Sequence, residues 1–409
     1  MGGIRMLSTE TKSIILSTVP VLEKHGEAIT GRFYHILFSE HPELLNLFNQ
    51  TNQRQGKQQT ALANAVYAAA AHIDNLSVIL PVVQRIAEKH RALGVTPDQY
   101  PIVGETLLKA IKDVLGDAAT PEIMDAWAQA YGAIADVFIS VEQELYREAA
   151  EQPGGWRGFR EFIVRDKVKE SEAITSFYLE PADGKAIASY TPGQYLTFLV
   201  QVPGQPYLQR RHYSLSDAPG KPYYRISVKR EAGINGLPDG IVSTYLHDTV
   251  QTGDKLQASA PAGDFKLDTT NNRPIVLLSG GVGMTPLISM AQTLAERGDT
   301  RPIVYIHSAI EGSVHAFDQQ LRELAQQPNF SYHVVYERPQ GEDERHPHFA
   351  KSGFVDRDLI ERLAPADATF YFCGPTPYMR AVYKTLHAMG IEEDRIRFEF
   401  FGPTSQLVD

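Results

Sequence analysis

Only one cysteine, Cys373, occurs in 409 residues. No intrachain disulfide can form, and no Cys-based zinc or iron–sulfur centre can be assembled. No apolar run approaches the roughly 18 residues that a membrane-spanning helix needs. Met1-Gly2-Gly3-Ile4-Arg5 is too short and too polar for a secretory leader and reads as an extension, with Met6 the expected natural start. Positive charge is also scarce. Lys and Arg number 39 against 49 Asp and Glu, a net charge of −10, and without a basic stripe nucleic acid is not an expected partner. Repeats and low-complexity tracts are absent. What remains is the composition of an ordinary globular protein, 43% hydrophobic and 22% charged. Its length predicts roughly two to four domains, and a cytoplasmic setting is expected.

What is present changes character at Pro153-Gly154-Gly155. Upstream of that point the pattern is helical. Ser8, Glu10-Thr11 and the apolar Ile14, Ile15, Val19, Val21 and Leu22 predict a capped first helix. Residues 27–38 continue with Ile29, Phe33, Ile36 and Leu37 at helical spacing, and Pro42 breaks the chain. Helical patterns return at about 57–73, 80–92, 98–115 and 121–148, with Pro81, Pro97, Pro101 and Pro121 near helix starts. Unequal helices without heptads predict a crossed-helix fold. This half holds five histidines, His25, His35, His41, His72 and His90. None forms a zinc-type pair, and no Cys-x-x-Cys-His occurs to attach a c-type haem covalently. His90 shares a helix face with Val83, Ile86, Ala87 and Gly94, so it can point into an apolar cavity; it can equally be a surface or satisfied core residue.

The run from Phe33 through His41-Pro42 to Leu47-Phe48, then Gln58 to Leu62, then Ala87-Glu88-Lys89-His90 resembles a globin. More closely it is similar to the globin domain of bacterial flavohaemoglobins, over residues 6–150. The resemblance implies haem b with His90 as its proximal iron ligand, Phe48 wedged against the porphyrin, and Tyr34, Gln58 and Leu62 on the distal side. A neutral imidazole on one axial side leaves the other open for O₂, and the Tyr34 hydroxyl and Gln58 amide can donate to the negative charge that develops there. The resemblance also places Tyr100 and Glu142 beside His90, and Lys89 joins the expected catalytic set. A carboxylate that accepts the outer N–H of the ligand pushes electron density onto iron. From pattern alone, Tyr100 can be a core tyrosine and Glu142 a solvated helix residue.

From Trp156 the periodicity becomes that of strands. Phe162-Ile163-Val164, Ile174–Leu179, Tyr195–Val200 and Tyr224–Val228 are β-rich and bounded by Pro or Gly, which predicts a small antiparallel barrel. Arg211-His212-Tyr213-Ser214 resembles the Arg-x-Tyr-Ser signature of ferredoxin–NADP⁺ reductase-like flavoproteins, with Pro192-Gly193-Gln194-Tyr195 before it and Gly240-Ile241-Val242-Ser243-Thr244 after it. The resemblance implies FAD over residues 156–267. Arg211 can pair with the flavin phosphate, Tyr213 offers a face to the ring, and Ser214 can bond the N5 where hydride arrives. Val242-Ser243-Thr244 would open a helix whose amides bind the pyrophosphate. Tyr195 and His212 complete the flavin set, although Tyr195 can instead be a strand residue packed on the barrel.

Pro274–Ser279 is a continuous apolar strand of the parallel-sheet kind. Gly280-Gly281-Val282-Gly283-Met284-Thr285-Pro286 follows, with Thr285 the expected N-cap and Pro286 the first helical residue. Thr369–Cys373, Gly374-Pro375 and a helix from Thr376-Pro377 repeat the grammar. With Ile303–His307 and Tyr332–Tyr336 they predict a doubly wound sheet of five or six strands over 273–409, binding ligand at its carboxyl edge. Gly281 to Pro286 and Cys373-Gly374-Pro375 are the expected dinucleotide contacts, with Cys373 otherwise a packing residue. The last segment matches the same family. It implies Glu399 near flavin and nicotinamide, and Phe400, Phe401, Gly402 and Pro403 closing the flavin pocket. Ile310-Glu311 has no arginine near it in sequence, so NADH is favoured over NADPH.

The resemblance thus implies an all-α globin fold, an antiparallel β-barrel FAD domain and a doubly wound NAD domain, in that order. The activity it implies is that of a nitric oxide dioxygenase, a monomer in which NAD(P)H reduces FAD, FAD reduces haem one electron at a time, and O₂ and NO become nitrate. A general NAD(P)H-dependent haem and flavin reductase, with O₂, ferric, hydroperoxide or anaerobic NO acceptors, and an O₂-binding or sensing globin are the alternatives. Lipid in the haem pocket is left open.

Overall fold

The computed structural model describes residues 6–48, 57–233, 236 and 238–401. The chain divides into two compact units. The first runs through Gly158 and takes in Leu199–Arg211; the second begins at Phe159.

The helical unit opens with α1 (Thr9–Glu40), capped where the Ser8 hydroxyl accepts from the Thr11 amide at 3.0 Å. The two segments expected at 8–22 and 27–38 are one 32-residue helix with Pro20 inside it. Pro20 removes one N–H, and the residue four before it, Leu16, lies 41% exposed. The break therefore falls on the wet face, where its cost is smallest. A 3₁₀ turn over Pro42–Asn46 follows, then α2 (Lys57–Ala71), α3 (Leu80–Leu93), α4 (Gln99–Leu115) and α5 (Pro121–Glu151). Gly94, at φ 82°, caps α3 one turn after His90. Ile15, Phe33, Leu37, Ile111 and Trp127 form the core. At Gly104 a Cβ would stand 2.4 Å from the Tyr131 ring, so only glycine lets α4 and α5 approach this closely.

In the second unit, β1 (Phe159–Lys169), β2 (Ile174–Pro181), β3 (Tyr195–Val200), β4 (Gln209–Ser214), β5 (Tyr224–Lys229) and β6 (Lys255–Ser259) form one sheet in the order β4-β3-β6-β1-β2-β5. A bridge from Leu215, just past β4, to Ile226 on β5 joins the two edges into a barrel. Helix α6 (Ile241–Asp248) is held at its carboxyl end by Lys167, whose ammonium donates to the carbonyls of Leu246 (3.1 Å), His247 (2.5 Å) and Val250 (2.9 Å). A cation there satisfies orphan carbonyls and complements the helix dipole.

The second sheet is all parallel: β7 (Ile275–Gly280), β8 (Ile303–Ala309), β9 (Phe330–Tyr336), β10 (Phe349–Ser352), β11 (Thr369–Cys373) and β12 (Ile396–Glu399), in the order β10-β9-β8-β7-β11-β12. Every residue of β7 is buried. The central helices are α7 (Met284–Glu296), α8 (Asp318–Leu324), α9 (Arg357–Leu363) and α10 (Thr376–Ala388). The barrel is tied to this layer by buried polar contacts. Ser289 on α7 donates to the Asp217 carbonyl at 2.6 Å, and Arg225 on β5 reaches Gln292 at 3.3 Å.

Candidate active site

His90 occupies the last turn of α3. Its Nδ1 lies 2.7 Å from Glu142 Oε1 on α5 and 3.3 Å from the Tyr100 hydroxyl on α4. Tyr100 donates to the same Glu142 oxygen at 2.6 Å. Glu142 is 2% exposed, so the alternative of a solvated helix residue does not apply. An acceptor oxygen facing Nδ1 fixes the proton on that nitrogen and leaves the Nε2 lone pair free to ligate. The His90 ring keeps 33% of its surface open, against 3% for the Glu142 side chain. Burial first, and the Glu142 charge second, push the Tyr100 phenol well above its ordinary value, so it stays a donor. Two further tyrosines hold the backbone around the triad: Tyr131 donates to the Tyr100 carbonyl (2.6 Å) and Tyr146 to the Val95 carbonyl (2.8 Å). Lys89, next to His90, lies about 100° round the helix from it, and no described contact joins it to the triad.

Tyr34 is 7% exposed, with its ring edge-on to Phe33 and Phe48 at 4.9 and 5.7 Å. Burial pushes its phenol up, so its proton is retained. Phe48 and Leu62 pack on the same apolar core. Gln58 Oε1 is buried without a hydrogen-bond partner. A buried polar atom of that kind calls for a group not made by the protein. Together with the partly open His90 ring, these residues fit a haem.

On β4, strand alternation puts Arg211 and Tyr213 on one face and His212 and Ser214 on the other. Arg211 donates to the Arg210 carbonyl at 2.8 Å, and the Tyr213 ring lies 5.9 Å from Phe198. Ser214 is 7% exposed. His212 Nδ1 meets the Thr197 hydroxyl at 2.7 Å, and its ring stands 4.7 Å from Tyr195. Tyr195 is buried. At the start of α6, Val242 is buried, and the Ser243 hydroxyl donates to the Gly240 carbonyl (3.1 Å) and accepts from the Glu231 amide (3.2 Å). The first amide bonded along the helix is that of Thr244, so those before it face outward as an anion cradle. The Thr244 hydroxyl is buried and unpartnered, which again fits an external polar group.

At the carboxyl edge of the parallel sheet, Gly283 sits so close to β11 that a Cβ would stand 2.3 Å from the Cys373 carbonyl. One expectation needs correcting here. Thr285 is not the N-cap, and Pro286 is not the first helical residue. Gly281–Gly283 form a 3₁₀ turn that runs straight into α7 at Met284, and the Thr285 hydroxyl donates to the Val282 carbonyl at 3.1 Å. The turn begins with Gly281 at φ 52°, which leaves the polar cap role to backbone alone. Cys373 is fully buried, and burial followed by the Glu399 charge raises its thiol well above the ordinary value, so it stays protonated. Glu399 pairs with Cys373 in the β11–β12 register. Gly374 is buried, Pro375 exposed, Phe400 half-buried and Phe401 48% exposed. Gly402 and Pro403 lie outside the described residues.

Sequence reasoning missed two features here. The loop at Ile310 is not without arginine: the Arg338 amide donates to the Ile310 carbonyl at 2.9 Å, although its guanidinium turns to Glu337 at 3.6 Å. Beside it, among the described residues, His315, Asp318 and His346 bring donor atoms within 4.8 Å of one another. Their protons are already assigned. The His348 amide donates to His346 Nδ1 (3.1 Å), so His346 Nε2–H faces Asp318 (2.7 Å); Tyr332 donates to Asp318 (2.9 Å) and so accepts from His315 Nε2 (2.9 Å), and Tyr336 faces His315 Nδ1 (2.8 Å). This is a closed hydrogen-bond chain inside the domain, with no lone pair turned to a metal. Only the three-residue spacing of His315 and Asp318 was visible beforehand.

Comparison with known proteins bears on the whole chain. Residues 31–138 match the Globin family, 161–267 the Oxidoreductase FAD-binding domain, and 277–384 the Oxidoreductase NAD-binding domain. The chain is 55% identical over 403 residues to the flavohemoprotein of Halalkalibacterium halodurans, covering 98% of each. It is 49% identical to that of Bacillus subtilis over 98% of this chain and 99% of the relative. The chain belongs to the flavohaemoglobin family. The flavohaemoglobin of Malassezia yamatoensis, solved with bound FAD and haem, superposes with a TM-score of 0.82 at 28% identity, over 97% of this chain and 100% of that one. The FAD/NAD-binding domain of a nitric oxide dioxygenase from Vibrio cholerae matches 60% of this chain and 99% of its own length at 40% identity, TM-score 0.54. As a flavohaemoglobin the chain is an oxidoreductase that uses haem, FAD and a nicotinamide dinucleotide, and its three-part fold is the one expected. No helix among the described residues is long and apolar enough to cross a membrane.

Proposed function

We propose that this flavohaemoglobin is a nitric oxide dioxygenase, converting NO and O₂ to nitrate at the expense of NADH. The observation that carries the reading is the buried Glu142, which takes hydrogen bonds from both His90 and Tyr100. Passive O₂ storage needs no electron-rich ligand, whereas oxygen activation does. Haem, when bound, supplies the iron at which O₂ reacts, and FAD accepts hydride and releases single electrons. His90 presents Nε2 to the iron while Glu142 holds the proton on Nδ1. Tyr34 keeps its own proton and offers it as a hydrogen bond where negative charge develops, with the Gln58 amide beside it. Arg211 and the amides at the start of α6 bind the phosphates of the flavin, and Ser214 orients its reactive edge. Gly281–Met284 and Cys373–Pro375 hold the dinucleotide, with Glu399 close by.

Glu311 disfavours a 2′-phosphate, which supports NADH. Boundaries at 6–150, 156–267 and 273–409, a monomeric state and a cytoplasmic location complete the proposal. Stopped-flow mixing of holoprotein with NADH, O₂ and NO tests it: NO should vanish with stoichiometric nitrate. Decay no faster than with haem-free protein would overturn it.

A further inference from the structure

Asn46 closes the 3₁₀ turn that follows α1, two residues before Phe48. Its side-chain amide donates to the Glu43 carbonyl at 2.8 Å, which leaves Oδ1 as an outward acceptor. Both oxygens of Asn46 are then taken by one strand. The Leu208 amide, just before β4, donates to Asn46 Oδ1 at 2.9 Å. The Arg210 guanidinium, on β4, donates to the Asn46 carbonyl. Leu208 and Arg210 belong to the Leu199–Arg211 stretch that clusters with the helices, so the grip is internal to the helical unit. Burial lowers the Arg210 guanidinium to about 10, and a cation held among protein atoms needs acceptors. A carbonyl at the end of a 3₁₀ turn has no partner within the turn and can serve as one, in a charge-assisted bond.

One hydrogen bond would leave the turn free to swivel. Two, to the main chain and the side chain of the same residue, fix its orientation as well. What the turn carries is Phe48. Leu44 is 5% exposed and packs in the helical core, and the Leu47 amide returns to the Leu44 carbonyl at 2.8 Å. The turn and the residue after it are therefore one piece. The Phe48 ring stands edge-on to Phe38 at 5.2 Å and to Tyr34 at 5.7 Å. At the other end, Arg210 is followed directly by Arg211, whose guanidinium donates to the Arg210 carbonyl at 2.8 Å. A short covalent path and one pair of hydrogen bonds thus connect the residue expected to hold the flavin phosphate with the ring expected against the porphyrin.

We propose that Asn46 is a positioning residue for the haem site: gripped at both oxygens by the flavin-binding strand, it fixes Phe48 and, through it, the Tyr34 ring. The strand that carries Arg211 thereby sets the wall beside which a diatomic ligand binds. The inference rests on the chain holding haem and FAD, and not on NO being a substrate.

Two variants of the holoprotein test it. Asn46→Leu keeps the volume and removes Oδ1; Arg210→Met keeps the aliphatic stem and removes the donor. The stretching band of CO on ferrous haem reports the polar groups beside it, and O₂ dissociation reports the Tyr34 donor. In both variants the CO band should shift and O₂ dissociation should speed several-fold. Flavin content and NADH–ferricyanide reduction of Asn46→Leu should stay at the parent level. Either loss frees the turn, so the double variant should go no further than the single ones. A merely structural role would lower the melting temperature and leave the CO band in place. That result, or effects that add in the double variant, overturns the proposal. If Asn46→Leu does not fold, the CO band of Arg210→Met decides, because that change leaves the helices and the turn untouched. No readout consumes NO, so the dioxygenase reading stands or falls separately.

Discussion

Replacing Glu142 by glutamine isolates the charge that the triad delivers to His90. The amide keeps the shape, and its oxygen can still accept from Nδ1 and from Tyr100, now at 2.7 and 2.6 Å. What disappears is the charge assistance. A hydrogen bond to a charged group is worth about 1.5–3 kcal/mol net and a neutral one about 0.5–1.5, so each bond weakens by about 1–1.5 kcal/mol. The part that matters is the His90 bond, because a carboxylate there stabilises the more positive ferric state through the imidazole. Losing about 1–1.5 kcal/mol of that preference raises the one-electron potential by roughly 40–60 mV, at about 59 mV per tenfold. Tyr100→Phe should move it the other way. With its competitor gone, Glu142 Oε1 gives its full acceptor strength to His90, so the potential falls. Spectroelectrochemistry on the two holoproteins, both with intact flavin, reads the signs directly. Equal shifts of the same sign, or none, would refute the claim that Glu142 acts on iron through His90.

His90→Ala should abolish the Soret band while NADH–ferricyanide reduction survives; an intact Soret band would show that another residue ligates iron. Gly283→Ala places a methyl 2.3 Å from the Cys373 carbonyl, so β7 and β11 must part at the carboxyl edge. It should lower stability by about 1–3 kcal/mol and weaken NAD⁺ binding measured by calorimetry, whereas Gly253→Ala, on an open turn, should leave NAD⁺ binding unchanged. The His315 imidazole is held down to about 3 by burial, with His346 and Arg322 adding to it. The unfolded chain protonates this group near its ordinary 6.5 and the folded chain does not, so stability present above pH 6.5 is lost as pH falls toward 3, by about 1.4 kcal/mol per unit. Burial holds His307 well below its ordinary value too, so urea melts at pH 7 and 5 should show at least this slope, and His315→Gln should reduce it; an unchanged slope would remove His315 as a cause.

Local rules carried the reading furthest where the signal is periodic. The helices at 57–73, 80–92, 98–115 and 121–148 appear within a few residues of α2 to α5, and β7, β8, β9 and β11 lie within two residues of the expected strands, β7 on its continuous apolar run. They failed where partners are remote. Strand β6 is polar on alternate positions and short, and β10 is four residues long, so neither stands out until its neighbours pair with it. Pro20 lies inside α1, and the helix continues through it because its lost bond faces water. Thr285 reads as a cap, yet the glycine turn before it starts the helix at Met284, two residues earlier than expected.

The order of the three modules, the Arg211–Ser214 signature and the two Gly-rich strand ends were determined by sequence alone, because periodicity and turn chemistry act between near neighbours. Tertiary structure decided that Glu142, 52 residues from His90, shares its proton-bearing edge with Tyr100. It also decided that Gly283 lies against Cys373. A helical pattern names the face a residue occupies. Which distant face meets it is settled only when the helices cross and the strands take their places in the sheet.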